Sequence, residues 1–417
     1  MDKFIIEGGK PLSGRIRIQG SKNAALPILA ACLLAEGTHV IHDIPHLLDV
    51  DVMIEILRAL GAEISVTENT LTIDTSSVHS TIVPEDLMGK MRSSIFLMGP
   101  LLARYKEVTV SKPGGCAIGE RKIDLHQKGL QILGAKITED GDKMICKAER
   151  LFGNTIVLDY PSVGATENIM MAAVLAEGTT KIIHAAREPE ISDLQNFLNK
   201  MGAKVTGAGT DVITIEGVEK LYPVTYQVIP DRIYAGTIMV AVGITGGIIE
   251  IENIIPEHLN FVINNLIRAG VEIETSHDII FVKRKEKRLM AIDRIVTSPF
   301  PGFPTDMQAQ FMSLLTIATG TSKIEENVFD GRFKHVNELV KMGAEIKIEN
   351  KSAYIHGVQQ LMGTEVAATD LRAGAALVLA GLGAQGKTII HQIHHIDRGY
   401  EKFENTLMAL GASIKRV

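Results

Sequence analysis

A helix stop followed directly by a strand recurs six times in this chain, and no other feature limits its fold as much. The copies read Leu60-Gly61-Ala62-Glu63-Ile64, Leu133-Gly134-Ala135-Lys136-Ile137, Met201-Gly202-Ala203-Lys204-Val205, Ala269-Gly270-Val271-Glu272-Ile273, Met342-Gly343-Ala344-Glu345-Ile346 and Leu410-Gly411-Ala412-Ser413-Ile414. Their glycines are spaced 73, 68, 68, 73 and 68 residues apart, and the first three shifted by 209 give the last three. Other segments follow the same rhythm. Ala35-Glu36-Gly37-Thr38 returns as Ala176-Glu177-Gly178-Thr179, and Ile41-His42 returns as Ile183-His184 and Ile390-His391. The chain therefore holds six copies of a unit of about 70 residues, in two sets of three.

Each unit is expected to contribute a small mixed sheet and two helices. The first copy shows the order. Ser21 reads as an N-cap for a helix over Ala24–Leu34, His39–His42 as a strand, Val52–Leu60 as a second helix, and Glu63–Val66 and Thr70–Ile73 as further strands. Before them come strands at Phe4–Ile6 and Arg15–Ile18. One helix of each unit, as at Ile169–Leu175 or Ala373–Leu382, is apolar on nearly every side and is expected to be buried all round. The other, as at Ile191–Met201 or Val336–Met342, is amphipathic. The chain is thus read as α/β, with helices inside and sheets outside in two similar globules, and a cleft between them for a ligand.

The bulk numbers agree. A length of 417 residues exceeds one ordinary core. With 5% aromatics and no tryptophan, the core must be aliphatic. A net charge of −6 and no large basic block give no reason to expect nucleic acid. No apolar run approaches a membrane span, and the N-terminus opens like a strand rather than a signal peptide. Three widely spaced cysteines, Cys32, Cys116 and Cys146, form neither a disulfide framework nor a zinc cluster, which suits a reducing cytoplasm. His42, His184 and His391 recur with no acidic partner that recurs at ligand spacing, and they read as structural.

Three stretches carry candidate chemistry. The loop Ser111-Lys112-Pro113-Gly114-Gly115-Cys116-Ala117-Ile118-Gly119-Glu120-Arg121 sets a thiol among cations, which favours the thiolate. Cys116 is a candidate nucleophile or proton donor; the alternative is a surface hairpin. Charged pairs also stand at the starts of the apolar helices: Lys22-Asn23, Arg92-Ser93, Thr166-Glu167, Asp231-Arg232, Thr305-Asp306, and Asp370 with Arg372. Acids there are ordinary caps, but the helix dipole opposes cations. Lys22, Arg92, Arg232 and Arg372 point to an anionic ligand, or to ion pairs within the protein. Finally, three prolines from Pro299 to Pro304 deliver Thr305 and Asp306 to a helix start, and a rigidly placed carboxylate is what a general base needs. Phosphate-loop, dinucleotide and hydrolase-elbow motifs are absent.

With these residues in hand, the whole chain resembles the enolpyruvyl transferase family. The marks are Gly20-Ser21-Lys22-Asn23-Ala24-Ala25, Pro113-Gly114-Gly115-Cys116-Ala117-Ile118-Gly119, Arg121 with Asp124-Leu125-His126, Pro301-Gly302-Phe303-Pro304-Thr305-Asp306, and Asp397-Arg398-Gly399-Tyr400. The resemblance implies two inside-out α/β barrel domains, 22–229 and 1–21 with 230–417, with the active site between them. It implies transfer of the enolpyruvyl group of phosphoenolpyruvate to the 3′-hydroxyl of UDP-N-acetylglucosamine by addition and elimination, the opening step of peptidoglycan synthesis. Neither metal nor organic cofactor is implied, and oligomeric state is left open.

The resemblance also implies roles. Cys116 protonates the methylene carbon of phosphoenolpyruvate, can form an adduct with it, and is the target of the epoxide fosfomycin. Lys22, Arg121 and Arg398 hold the phosphate and carboxylate, and Arg92 faces the substrates. Asp306 takes the sugar hydroxyl proton and Asn23 orients the sugar. Arg121, Lys122, Ile123, Asp124, Leu125, Ser162, Val163, Gly164 and Val328 match UDP-sugar contacts. Asp370 and Arg372 match positions near the phosphoenolpyruvate pocket. One departure stands out: the family commonly has proline where this chain has Lys122, which leaves that segment more mobile and adds a charge near the diphosphate. The chain could be the second of two versions found in some bacteria. The shikimate-pathway transferase lacks the cysteine loop, and an RNA 3′-terminal phosphate cyclase would need a nucleotide motif not found here.

Overall fold

The structure is a computed structural model that describes residues 2–111, 113–114, 122–285 and 288–417. The candidate residues Cys116 and Arg121 lie outside the described residues. The six marker glycines each follow a helix, and their φ angles run from 91° to 109°. The bonds around them repeat. Gly61 N–H donates to the Arg58 carbonyl and Ala62 N–H to that of Leu57, and five later copies do the same, as in Ala203 to Leu198 and Ala344 to Leu339. This pair of bonds satisfies carbonyls that a helix end leaves open, and it needs left-handed backbone at the glycine.

Contacts divide the described residues into two units, residues 20–111, 113–114 and 122–229, and residues 2–19 with 230–285 and 288–417. In the first, Thr38–His42 pairs in parallel with Thr225–Gln227 and antiparallel with Thr70–Asp74, which in turn pairs with Glu63–Thr67. The sheet around Thr179–Ile183 repeats that order with Thr155–Val157, Val212–Glu216 and Lys204–Thr206. A third sheet, of Glu107–Ser111, Lys143–Lys147 and Lys136–Asp140, has an isolated parallel bridge, Ile82 to Thr109, where the others have a fourth strand. Along these strands buried and exposed residues alternate, as expected of sheets with one face on a core.

Beneath the sheets lie helices with no solvated face. Every residue of Lys22–Ala31 is buried except Asn23. Met98–Tyr105 and Val163–Ala173 pack against each other, and the 3-10 turn Arg92–Leu97 packs on both Lys22–Ala31 and Val163–Ala173. The second unit mirrors this with Arg232–Thr245, Gln308–Leu315 and Leu371–Gly383, all three in mutual contact. A Cβ on Gly383 would lie 2.4 Å from Ile244, so its missing side chain sets how closely two of these helices approach. Each unit has its own core. No described helix is long and apolar enough to cross a membrane.

The first strands belong to the second unit. Phe4–Glu7 lies between Lys387–His391 and Ser413–Arg416, completing the last sheet. Leu12–Arg17 runs parallel to Gly247–Glu252, completing the fourth. One element departs from expectation in a way that matters for the site. The helix read as Val52–Leu60 begins at Leu48, so the stretch taken as a connection contains its first turn, with Asp49 and Asp51 in it. Its N-cap, Leu47, makes no side-chain capping bond, so no polar signal in the sequence marks that start.

The marker glycines differ in surroundings, and this gives a test. At Gly270 a Cβ meets nothing within 4 Å; at Gly61 it falls 2.4 Å from His79 Nδ1 and 2.7 Å from the Ser77 carbonyl oxygen. Gly270→Ala should cost about 1–2 kcal/mol, the backbone strain alone. Gly61→Ala should cost more. Urea unfolding midpoints of the two variants check the order; equal losses would refute it.

Candidate active site

The helix starts hold the candidate residues. Ser21 caps Lys22–Ala31 by accepting from Ala24 N–H, as its sequence position suggested. Lys22 is the first helical residue and is buried, yet the helix dipole opposes its charge there. Its Nζ lies 2.7 Å from Asp49 Oδ2, and the two side chains are only 8% and 5% exposed. Each of the two buried groups has the other as a partner of opposite charge. The sequence offered ligand or internal ion pair as explanations for Lys22; the structure supplies an internal acid. Asp49 was missed because the stretch that holds it reads in the sequence as a connection before a helix over Val52–Leu60, and not as the first turn of Leu48–Ala59.

A second group gathers residues matched to the UDP-sugar. Arg92 opens its 3-10 turn and donates through Nη2 to the Lys122 carbonyl at 3.1 Å. A proline at position 122 would keep that carbonyl, so the contact does not depend on the departure noted above. Asp124 begins the helix Asp124–Ile132, with exposed Lys122 and half-buried Ile123 leading into it and half-buried Leu125 following. Ser162 caps Val163–Ala173 by accepting from Ala165 N–H. Asn168 ties these segments together. Its Oδ1 accepts from Gly99 N–H at 2.6 Å, and its Nδ2 donates to the Ile95 carbonyl at 2.9 Å and to His126 Nδ1 at 3.0 Å. An amide nitrogen only donates, so a neutral His126 carries its proton on Nε2. A Cβ on Gly164 would lie 3.2 Å from both the His126 and Phe96 rings, so only glycine fits there without a shift. His126 stood in the sequence motif without a role; Asn168 gave no signal.

The second unit holds Asp306. It lies in the 3-10 turn Thr305–Met307, which leads into Gln308–Leu315, after a cis Phe300–Pro301 bond. Arg332 Nη2 donates to its Oδ1 at 2.7 Å, and Arg372 donates to Oδ2 from Nε at 3.2 Å and from Nη2 at 3.0 Å. Burial pushes this carboxyl up, but the charges and hydrogen bonds of Arg372 and Arg332 outweigh it and hold it well below the usual carboxylate range. So held, Asp306 is a weak base. Arg332 was not among the sequence candidates. It lies 26 residues away, in a turn without a motif.

Asp231 and Asp370 are caps, accepting from Ile233 and Tyr234 N–H and from Arg372 and Ala373 N–H respectively. The side chain of Arg372 pairs with Asp306 rather than with its neighbour Asp370. Val328 is half-buried and donates its N–H to Glu326. Arg398 follows the short helix His394–Asp397, whose Asp397 is gripped by Arg416 of the last strand. A Cβ on the next residue, Gly399, would lie 2.4 Å from Leu371 and 3.7 Å from Arg372 Nη1, which sets the Arg398 segment against the start of Leu371–Gly383. His184 donates to the Leu158 carbonyl, while His42 meets Thr70 and His391 meets Glu365. Among the described residues no group of three or more His, Cys, Asp or Glu could hold a metal ion.

Comparison with known proteins adds three findings. The sequence family described as EPSP synthase (3-phosphoshikimate 1-carboxyvinyltransferase) matches residues 6–407. UDP-N-acetylglucosamine 1-carboxyvinyltransferase 2 of Caldanaerobacter subterraneus subsp. tengcongensis is 53% identical over 417 residues, covering 100% of both chains. Its counterpart from Carboxydothermus hydrogenoformans is 54% identical over 418 residues, again covering 100% of both. Among solved structures, the enolpyruvyl transferase NikO from Streptomyces tendae matches with a TM-score of 0.90 at 26% identity, over 100% of this chain and 99% of that one.

One buried acid stands apart. Glu167 is fully buried in Val163–Ala173 and neither carboxyl oxygen has a hydrogen-bond partner. Burial pushes its carboxyl well above the usual range, and Glu190 and Glu188 push the same way. The folded protein therefore holds this proton more tightly than the unfolded chain does. Its contribution to stability declines as pH rises above its ordinary value of 4.5, by at most about 1.4 kcal/mol per pH unit. Glu167→Gln should flatten that decline. Urea midpoints at pH 5 and pH 8 check it, and an unchanged slope would show that Glu167 is ionised in the folded state.

Proposed function

The chain belongs to the enolpyruvyl transferase family, and from that premise we propose how its residues divide the work of the transfer. The protein moves the enolpyruvyl group of phosphoenolpyruvate to the 3′-hydroxyl of UDP-N-acetylglucosamine and releases phosphate, by addition and elimination. This is the first committed step of peptidoglycan synthesis. The chemistry needs a proton for the methylene carbon, a base for the hydroxyl, and cations for a substrate bearing phosphate and carboxylate. Cys116 is the acid and can form an adduct. Asp306 is the base. Lys22, Arg121 and Arg398 hold the phosphate and carboxylate, with Arg92 facing the substrates. Asn23 orients the sugar. Arg121 to Leu125, Ser162 to Gly164 and Val328 contact the UDP-sugar, and Asp370 and Arg372 border the phosphoenolpyruvate pocket. A cytoplasmic location belongs to the same reading, supported by two described cysteines that are free thiols.

The observation that carries this division is that buried cations are held by acids of the protein: at helix starts, Lys22 by Asp49 and Arg372 by Asp306, and from a turn, Arg332 by Asp306 as well. The pairing keeps buried charges compensated without substrate. An anionic substrate that draws one guanidinium away relieves Asp306 of part of its electrostatic hold. Its basicity then rises when a hydroxyl is there to be deprotonated.

Phosphate release from phosphoenolpyruvate tests the function, run with UDP-N-acetylglucosamine, with shikimate 3-phosphate, and with neither. Release is expected only with the UDP-sugar, with a product heavier by an enolpyruvyl group; release with shikimate 3-phosphate alone would overturn the acceptor. Fosfomycin tests the acid. Burial pushes the Cys146 thiol up to about 12 and that of Cys32 higher still, so neither should react. A peptide map should show alkylation at Cys116 alone, and Cys116→Ala should lose turnover while still binding the UDP-sugar.

A further inference from the structure

We infer that Glu326 is a positioning residue for the transfer: its carboxylate fixes the direction of a hydrogen-bond chain that runs through Thr305 and Arg332 to Asp306. Glu326 follows the strand Thr321–Glu325 and is 1% exposed. While its neighbour Glu325 pairs with Arg294 and Lys323, Glu326 points inward and receives four hydrogen bonds. Oε1 is reached by Thr297 Oγ1 at 2.8 Å, Val328 N–H at 2.8 Å and Phe329 N–H at 3.1 Å, and Oε2 by Thr305 Oγ1 at 2.9 Å.

The sense of each bond follows from its donors. Backbone N–H groups only donate. The Thr297 hydroxyl accepts from Asn327 N–H at 2.9 Å, so its own hydrogen goes to Glu326. The Thr305 hydroxyl accepts from Arg332 Nη1 at 2.9 Å, so its hydrogen also goes to Glu326. Glu326 is thus an acceptor at every contact, and this leaves the Thr305 lone pairs facing Arg332. Arg332 is fixed at two points, Nη1 on Thr305 and Nη2 on Asp306. The same carboxylate closes the turn that carries Val328. One buried group therefore anchors the residue that tunes the proposed base and a proposed sugar contact. A glutamine here would aim an N–H donor at a hydroxyl already turned to donate, and the chain would lose its direction.

The inference rests on Asp306 as the base, so the test separates the two. Steady-state kinetics and thermal melts are measured for Glu326→Gln, Thr305→Val, the double variant and Asp306→Asn. Glu326→Gln and Thr305→Val should each lower kcat by about 10- to 100-fold with little change in KM for the UDP-sugar, the loss expected from a misplaced reacting group. The double variant should be no slower than the slower single, because both break one chain. If Glu326→Gln does not fold, Thr305→Val decides alone, since it removes only the hydroxyl. Full kcat in folded Thr305→Val, multiplied losses in the double, or a lower melting temperature with kcat intact would each overturn the inference. Asp306→Asn with full kcat would remove its premise; Asp306→Asn inactive beside an active Thr305→Val would overturn the chain and leave the base in place.

Discussion

Helices buried on every side have no wet face, so whatever polar chemistry they carry must sit at their ends. That constraint governs both units. Lys22–Ala31, Arg232–Thr245 and Leu371–Gly383 bury nearly every residue, and their interiors are mostly alanine, glycine and branched aliphatics. Their first turns hold Lys22, Arg232 and Arg372 instead of the acids that a helix start prefers. A cation in that place costs stability unless something negative is near, and for Lys22 and Arg372 the fold supplies it from elsewhere in the chain. Asp49 comes from a neighbouring amphipathic helix, and Asp306 from the start of the next core helix.

Each of these helix starts is compensated within its own unit. The acids hold the cations proposed to meet an anionic substrate, and Asp306 is also the proposed base. Tight compensation works against basicity, which is why the hold on Asp306 is as informative as its position. Two guanidiniums keep it ionised and nearly inert. In the proposed mechanism, release of either one raises its basicity. The surrounding bonds fix this arrangement from behind, through Thr305 and Glu326 on one side and through Tyr400, over whose ring Arg372 lies, on the other.

Much of the architecture was legible in the sequence because its causes are local. A glycine after an apolar residue, followed by a small one, is a helix end whose bonds need one left-handed residue, and those bonds are the same in all six copies. The buried helices announced themselves by apolar residues at every angle, and Ser21, Asp231 and Asp370 by their places as caps. The candidate residues Lys22, Arg92, Asp306 and Arg372 were visible for a related reason: each violates or sharpens a local rule at a helix start. What the sequence hid were partners. Nothing near Lys22 names Asp49, nothing near Asp306 names Arg332, and Asn168 looks like one more polar residue in a helix.

The sequence by itself therefore determined the repeat, the kinds of element, and the positions where charge is out of place, since each depends on neighbours within a turn or two. Only the tertiary structure decided which acid answers which cation, that Glu326 faces inward while Glu325 faces out, and that the first two strands complete sheets built almost entirely from the last 188 residues. Those are pairings across tens to hundreds of residues. They are chosen by which groups the folded backbone brings within hydrogen-bond reach, and local residue patterns carry no record of that distance.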